Sequence, residues 1–184
     1  MKFSPQTIPD VLLIEPVIHR DERGYFVETF KQKLLDEALG YQVNFIQDNE
    51  SKSTSKGVLR GLHYQLAPYT QNKLVRVIKG KILDVAVDIR RDSPTFGKYV
   101  SVVLSEKNKK QLFVPGGFAH GFIVLSEGAT FVYKVDAYYS AEHEEGIAYN
   151  DKDLDIDWRF LEKEIILSKA DQNYSGLSDN KKLF

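Results

Sequence analysis

The sequence predicts a mainly β protein in which short antiparallel strands form a sandwich or barrel. Most of the chain alternates apolar and polar residues with period two, as half-buried strands do. Only one long segment has the apolar spacing of a helix, and turn residues separate the alternating runs at regular intervals. There is no internal repeat and no linker rich in glycine, serine or proline, so residues 1–184 are predicted to form a single domain.

The predicted helix covers residues 30–39. Phe30, Leu34, Leu35 and Ala38 recur at helical spacing, and Gly40 follows as a C-terminal cap. A shorter helix is predicted near the C-terminus, over residues 168–174.

The predicted strands follow one another through the middle of the chain. In residues 82–89, Val85, Val87 and Ile89 share one face, whereas Asp84 and Asp88 share the other. The other strands with the same period are predicted at residues 73–79, 99–104, 111–114, 118–125 and 130–138.

Composition and charge narrow the possible functions. The chain has 25 Lys and Arg residues against 26 Asp and Glu residues, so it offers no strong positive field for nucleic acid. It has no cysteine, which excludes disulfides, thiolate metal sites and a cysteine nucleophile. We find no targeting signal and no apolar run long enough to span a bilayer, so we expect a cytoplasmic protein without membrane association.

The densest polar cluster is residues 58–65, with the sequence VLRGLHYQ. If this segment is a strand, His63 shares a face with Leu59, Gly61 and Gln65. A barrel-lining histidine can act as a base, a metal ligand or a hydrogen-bonded core group. Strict alternation puts Arg60 on the opposite face, so either a bulge at Gly61 turns it or the long side chain reaches around the strand.

A metal centre is the weaker interpretation of these residues. The chain has four histidines, and the His-x-His pair typical of metal-binding barrels is absent. His19 and His143 lie in charged segments, so only His63 and His120 remain as candidate ligands, and these are too few.

Two further side chains are predicted to point into the barrel. Tyr133 shares an apolar face with Phe131 and Val135, where a tyrosine either packs or supplies a hydroxyl. Lys73 shares a face with Val75, and an inward ammonium requires an anionic partner unless it reaches solvent from the start of its strand.

Two turn segments add weaker signals. Arg23 precedes Gly24 and can hold an anion, while Phe26 offers an apolar face for a nucleotide base. Gln47 and Asn49 supply amide donors and acceptors just after Phe45 and Ile46.

Together these segments resemble the dTDP-4-dehydrorhamnose 3,5-epimerase family. The matching motifs run in order and at matching spacing from Ile8 to Asp171: DERGYF (21–26), QDN (47–49), VLRGLHYQ (58–65), KLVR (73–76), DVAVDIR (84–90), SPTFG (93–97), PGGFAHGF (115–122) and YK (133–134). Two positions depart from the family pattern, because Ala170 stands where the family often has lysine and Tyr149 where it commonly has tryptophan.

The resemblance implies a cupin-type double-stranded β-helix, or jelly-roll barrel, with a few short helices. It implies a homodimer that works without metal or organic cofactor on a nucleotide-linked 4-keto-6-deoxyhexose. The implied reaction is 3,5-epimerisation of dTDP-4-dehydro-6-deoxy-D-glucose to dTDP-4-dehydro-L-rhamnose, a step in dTDP-L-rhamnose biosynthesis. Relatives commonly exchange an N-terminal strand, so each site is expected to be completed by its neighbour's Arg23, Phe26 or Glu28.

The resemblance also implies roles for individual residues. His63 matches the base, Asp171 the carboxylate paired with it, Tyr133 the acid, and Lys73 the residue near the ketone oxygen. The implied binding residues are Arg23, Phe26, Glu28, Gln47, Asp48, Asn49, Arg60, Lys73, His120, Tyr139, Glu144 and Lys169.

Three alternatives remain open at this stage. A relative on the same barrel could epimerise one carbon only or act as a 3,4-ketoisomerase. The chain could also be a catalytically inactive sugar-nucleotide binding module, although the intact His63, Asp171 and Tyr133 set argues against this. A metal-dependent oxygenase is disfavoured by the number of possible ligands.

Overall fold

The computed structural model describes all residues 1–184 and contains one α-helix, α1 (Gln32–Leu39), among short strands. The strands are β1 (Lys2–Pro5), β2 (Leu12–Glu15), β3 (Ile18–Asp21), β4 (Gly24–Val27), β5 (Gln47–Ser53), β6 (Leu59–Gln65), β7 (Lys73–Lys79), β8 (Lys81–Asp88), β9 (Tyr99–Ser105), β10 (Gln111–Val114), β11 (Phe118–Val124), β12 (Ala129–Val135) and β13 (Glu144–Gly146). Short 3₁₀ helices occupy Ala141–His143, Glu162–Glu164 and Asp171–Asn173.

Two antiparallel sheets form the barrel. The first has six strands in the order β1-β2-β10-β7-β12-β5, and the second has five in the order β13-β6-β11-β8-β9. Apolar side chains from the two inner faces meet in one buried cluster, which includes Val75, Phe131, Ala86 and Phe122. The predicted mainly β jelly-roll fold is therefore confirmed, and the space between the two inner faces, lined by side chains of both sheets, is called the cavity below.

Each sheet is covered on its outer face by a different segment. Leu35 of α1 is buried with Leu74 and Phe113 outside the six-stranded sheet. The C-terminal segment covers the five-stranded sheet, where Trp158 and Leu177 pack against the outer side chains of β6 and β8. Each outer face is therefore covered in part by its own segment.

Both predicted helical segments lie where helical turns form, but each prediction was too long. Helix α1 ends at Leu39 with Gly40 in the left-handed conformation (φ 77°), as predicted, but begins at Gln32 because Phe30 packs edge-on against Phe45. Of residues 168–174 only a 3₁₀ turn forms. The Ser168 hydroxyl accepts a hydrogen bond from the Asp171 backbone N–H at 3.1 Å, and this local bond favours a tight turn over a helix.

The strand predictions succeed in the core and fail at the edges. The strands predicted at residues 73–79 and 111–114 have the predicted bounds. The strand predicted at residues 130–138 ends at Val135, because the Asp136 carboxylate turns to accept hydrogen bonds from the backbone and amide N–H groups of Asn72. Strands β1 to β5 and β13 were not predicted, since β1 to β4 have only four residues each, β13 has three and β5 is highly polar.

No helix of the structure is both long and apolar enough to cross a membrane.

Candidate active site

Strand register brings the candidate residues to the inner faces of the two sheets. On the six-stranded sheet, Tyr133 pairs with Val75 and with Asn49, and Lys73 pairs with Val135. Directly paired residues point to the same face, so Lys73, Tyr133 and Asn49 line one wall of the cavity. On the five-stranded sheet, His63 pairs with His120 and supplies the opposite wall.

A β-bulge at Gly61 decides which residues of β6 face the cavity. Arg60 pairs with Phe122 and His63 pairs with His120, so three steps along β6 oppose two steps along β11. Gly61 has φ 128°, and a Cβ on it would lie 2.5 Å from the Cα of Gly121. Only glycine fits this position.

The bulge corrects one prediction and settles the question of Arg60. Arg60 and His63 are three residues apart, so regular alternation would place them on opposite faces. The extra residue of the bulge shifts the alternation by one, and both side chains point inward. The expectation that His63 shares a face with Leu59 is wrong, since Leu59 is buried in the outer cluster with Leu62. Gln65, two residues beyond His63, does share its face as predicted.

His63 and Asp171 form the shortest polar contact of the cavity. The Nε2 atom of His63 lies 2.5 Å from Oδ1 of Asp171, whose side chain is 4% exposed. The Ser168 hydroxyl donates to Oδ2 of Asp171 at 2.7 Å, so both carboxylate oxygens have partners. Burial raises the pKa of Asp171, but the hydrogen bonds from His63 and Ser168 outweigh it and leave the pKa below its usual value. Asp171 is therefore a charged, fixed partner for the imidazole.

A second histidine–carboxylate pair lies deeper in the same cavity. His120 Nε2 lies 2.9 Å from Oδ1 of Asp84, which is fully buried, and Oδ2 of Asp84 has no hydrogen-bond partner. Sequence reasoning placed Asp84 on the face opposite Val85 without giving it a role. An acidic residue at a core position of a strand was the available signal, because such a charge must have a partner.

Lys73 lies on the wall opposite these two histidines. Burial lowers the pKa of its ammonium to about 8, although the negative charges of Asp84 and Glu144 act in the opposite direction. A cation that is poorly solvated in the free protein gains from contact with an anion, so Lys73 can stabilise negative charge that develops in the cavity.

Tyr133 faces the cavity as a neutral hydroxyl. Its ring is partly buried next to Phe131, with 5.4 Å between the ring centroids. Burial and the charge of Glu144 raise the pKa of Tyr133, while Arg60 lowers it. The hydroxyl therefore remains protonated at neutral pH and can donate a proton or a hydrogen bond.

Several predicted binding residues lie at the rim of the cavity. The Gln47 amide donates to Asn49 Oδ1 at 2.8 Å, and the Arg60 guanidinium donates to the Ser53 hydroxyl at 3.2 Å. The Tyr139 hydroxyl donates to Glu144 at 2.9 Å, and this bond raises the pKa of Tyr139.

Other predicted binding residues are not brought to this cavity within the chain. Arg23 pairs with Asp21 at 2.6 Å, Phe26 lies near His19 and is 65% exposed, and Glu28 pairs with Lys31. Asp48 points to the outer face of its sheet, where it forms an ion pair with Lys134 at 2.8 Å. Lys169 is exposed beside the turn that carries Asp171.

The two departures from the family pattern lie outside the cavity walls. Tyr149 packs against the outer cluster and its hydroxyl donates to Glu162 at 3.1 Å. Ala170 is the exposed residue that begins the 3₁₀ turn at Asp171. Neither position changes the His63–Asp171 pair.

Outside the barrel cavity, one further pocket and the possible metal ligands are further candidates for a functional site. A surface cavity of about 770 Å³ is lined by residues that include Asp10, Tyr41 and Arg90. Arg90 is neutralised there by ion pairs with Asp10 and Asp88. No three His, Cys, Asp or Glu residues come together in a way that could hold a metal ion.

Known proteins resemble this chain over nearly its whole length. The family described as dTDP-4-dehydrorhamnose 3,5-epimerase matches residues 5–179. The dTDP-4-dehydrorhamnose 3,5-epimerase of Shigella flexneri is 61% identical over 158 residues, which cover 86% of this chain and 87% of the relative.

Two solved structures have the same fold. The dTDP-6-deoxy-D-glucose-3,5-epimerase of Legionella pneumophila Philadelphia 1, solved in complex with dTDP-4-keto-L-rhamnose, has a TM-score of 0.92 and 49% identity and covers 97% of this chain and 93% of its own. The 3'-monoepimerase of Streptomyces bikiniensis, solved with dTDP-quinovose, has a TM-score of 0.87 and 32% identity over 95% and 87% of the two chains. The chain thus belongs to the dTDP-4-dehydrorhamnose 3,5-epimerase family.

Proposed function

We propose that the chain converts dTDP-4-dehydro-6-deoxy-D-glucose to dTDP-4-dehydro-L-rhamnose by proton transfer at C3 and C5. One observation carries the proposal: the histidine–aspartate pair and Tyr133 stand on opposite walls of one cavity, on different sheets. Epimerisation needs a proton removed from one face of the sugar and another delivered to the opposite face. A base and an acid on opposite walls suit this requirement.

His63 acts as the base in this proposal. Its Nε2 atom is engaged by Asp171, so Nδ1 is the nitrogen that remains for a substrate proton. Asp171 fixes the ring and stabilises the imidazolium that forms, as carboxylates paired with catalytic histidines do. Positioned acid–base transfer of this kind contributes about 10²–10⁴-fold to a rate.

The proton next to the ketone becomes acidic only if the enolate oxygen is stabilised. Lys73 supplies a cation whose burial makes contact with an anion favourable. His120 supplies a second donor, and the buried Asp84 carboxylate holds its ring. Tyr133 then returns a proton to the other face, since its raised pKa keeps the hydroxyl protonated. No metal or organic cofactor takes part in the proposed reaction.

The rim residues bind the nucleotide part of the substrate. Arg60 provides a cationic donor for the diphosphate, and Gln47 and Asn49 provide amide contacts. Tyr139, whose ring is 54% exposed, provides a surface on which a base can stack. The presence of dTDP-4-keto-L-rhamnose in the Legionella pneumophila structure supports this substrate class.

We also propose that the protein works as a homodimer in the cytoplasm, each copy being one domain. Strands β3 and β4 form a two-stranded sheet that pairs with no other strand, and they carry exposed Tyr25 and Phe26. An isolated hairpin is marginally stable in water, so a second copy is a suitable partner for it. Arg23, Phe26 and Glu28 of this hairpin region would complete the neighbouring cavity.

Mixing two inactive variants tests this arrangement. His63→Ala and the double variant Arg23→Ala/Phe26→Ala are unfolded and refolded together. If the hairpin serves the neighbouring site, heterodimers contain one intact site and about one quarter of wild-type activity returns. No recovery, or a monomeric protein in sedimentation experiments, would contradict the proposal.

The reaction itself is tested by proton NMR in D₂O with dTDP-4-keto-6-deoxyglucose. The wild type should exchange and invert both C3 and C5. His63→Ala should exchange neither carbon, whereas Tyr133→Phe keeps the ring and should still exchange while inversion falls sharply. Inversion at C3 alone would identify a single-carbon epimerase, and movement of the keto group would identify a ketoisomerase. Binding without exchange would identify an inactive binding module.

A further inference from the structure

A tyrosine that has no part in the proposed reaction lies flat on the strand beside His63. A Cβ built on Gly146 would lie 2.5–2.6 Å from three ring carbons of Tyr174. Gly146 does not have a positive φ, so its backbone conformation does not require glycine. Glycine is needed here because the Tyr174 ring occupies the space that a side chain at this position would fill.

The register of the sheet puts this slot beside the proposed base. Gly146 of β13 pairs directly with His63 of β6. The Tyr174 ring therefore stands where a cross-strand neighbour of His63 would stand, and the two rings meet in a T-shaped arrangement. The ring centroids are 5.7 Å apart and the planes are inclined by 70°. This edge-to-face geometry is the preferred one for aromatic pairs.

The backbone holds Tyr174 from both sides. Three residues earlier, Asp171 is bound to His63 and to Ser168. One residue later, the Ser175 carbonyl accepts a hydrogen bond from the Ala148 N–H at 2.9 Å. The chain from Asp171 to Ser175 therefore carries both the partner of His63 and the ring that flanks it.

We propose that Tyr174 is a positioning residue for His63, whose ring prevents rotation of the imidazole away from Asp171. The inference rests on the proposed function, in which Nδ1 must face the substrate while Nε2 stays on Asp171. The side chain of His63 is 31% exposed, so part of the ring has no packing contact. Tyr174 fills the side that the glycine leaves open.

The electrostatics of Tyr174 suit a purely steric role. Burial and the charges of Glu144 and Asp171 raise the pKa of its hydroxyl to about 12. The phenol therefore stays neutral and does not compete with Asp171 as a charged acceptor for His63. Ring and hydroxyl can be tested separately, because replacing Tyr174 by phenylalanine removes the hydroxyl and keeps the ring.

The experiment compares Tyr174→Phe with Tyr174→Leu. Tyr174→Phe keeps the ring, so kcat and KM should match the wild type. Tyr174→Leu removes the edge contact, so kcat should fall about two- to tenfold with KM unchanged. Tyr69→Leu is the matched control, since Tyr69 makes a similar ring contact with His143, at 4.6 Å, away from His63. It should retain full kcat.

A spectroscopic measurement separates positioning from general packing. Long-range ¹H–¹⁵N NMR spectra of the substrate-free protein report which imidazole nitrogen of His63 carries the proton. The wild type and Tyr174→Phe should contain one tautomer, protonated at Nε2, whereas Tyr174→Leu should contain both. Gly146→Ala displaces the ring without altering Tyr174 and should give the same mixture, so the test survives if the leucine variant fails to fold.

The outcomes are distinct. A single tautomer in both Tyr174→Leu and Gly146→Ala would overturn the inference, even if the unfolding temperature fell. Equal loss of kcat in the phenylalanine and leucine variants would overturn it too, because the hydroxyl would then be the active part. The tautomer measurement needs no substrate, so failure of the proposed reaction would show separately, as a wild-type protein that does not invert the sugar.

Discussion

The ionisation of Lys73 should set the alkaline limit of catalysis. Burial lowers the pKa of this ammonium to about 8, against the opposing charges of Asp84 and Glu144. The proposed role requires the protonated form, because a cation must face the enolate oxygen. Because its pKa is about 8, Lys73 is charged below that pH and loses its proton as the pH rises through it. Activity should therefore fall on the alkaline side.

The size of the effect follows from the same titration. Above pH 8, kcat/KM should decrease about tenfold for each pH unit, since this ratio reports the ionisation of the free enzyme. An ordinary lysine would produce no such decrease until about pH 10.4. Tyr133 does not account for it, because burial raises its pKa further above the usual value of a phenol. Replacing Lys73 by glutamine should lower kcat about 10²–10³-fold, the range found for loss of one oxyanion donor.

The assay measures initial rates of inversion by NMR between pH 6 and 10. Lys73→Arg is the informative variant, because a guanidinium stays charged throughout this range. It should retain part of the activity and lose the decrease above pH 8, and circular dichroism should confirm that both variants fold. A wild-type kcat/KM that stays constant to pH 9.5 would refute the assignment. An alkaline limb that persists unchanged in Lys73→Arg would refute it as well.

Three further results are expected. Gly61→Ala should lower the free energy of unfolding by roughly 2–6 kcal/mol in urea titrations, because its φ is 128° and its Cβ would meet the backbone of Gly121; wild-type stability would show that the bulge tolerates a side chain. Asp171→Asn should keep the fold and lower kcat by about 10²–10⁴-fold, and a smaller loss would mean that His63 needs no charged partner. Dialysis against a strong chelator should leave turnover unchanged, and activity restored by added zinc, iron or manganese would contradict cofactor-free catalysis.

The sequence predicted the inner face of the six-stranded sheet well. Lys73, Val75 and Val77 alternate along one strand, as do Phe131 and Tyr133 along another, and the structure turns both sets inward. Alternation is a local property of an extended chain, so it can be read without knowing which strands are neighbours. The helix cap at Gly40 was readable for the same reason.

The same rule failed at β6, where the neighbouring strand decides the geometry. The bulge exists because three steps of β6 oppose two steps of β11, and that register is a property of the pair. Arg60 and His63 consequently share a face that alternation assigns to only one of them. The pairing of His63 with Asp171 spans 108 positions in the chain, and only the resemblance to a family indicated it.

The sequence by itself thus determined the fold class, the charge balance, the absence of cysteine chemistry and the inward faces of the regular strands. Only the tertiary structure decided that Asp84 supports His120, that Asp48 turns outward to Lys134, and that Tyr174 fills the space beside Gly146. The physical reason is the separation of the interacting residues along the chain. Side-chain alternation depends on adjacent residues, whereas these hydrogen bonds and ring contacts depend on how distant segments are aligned. The cavity is built from contacts of the second kind.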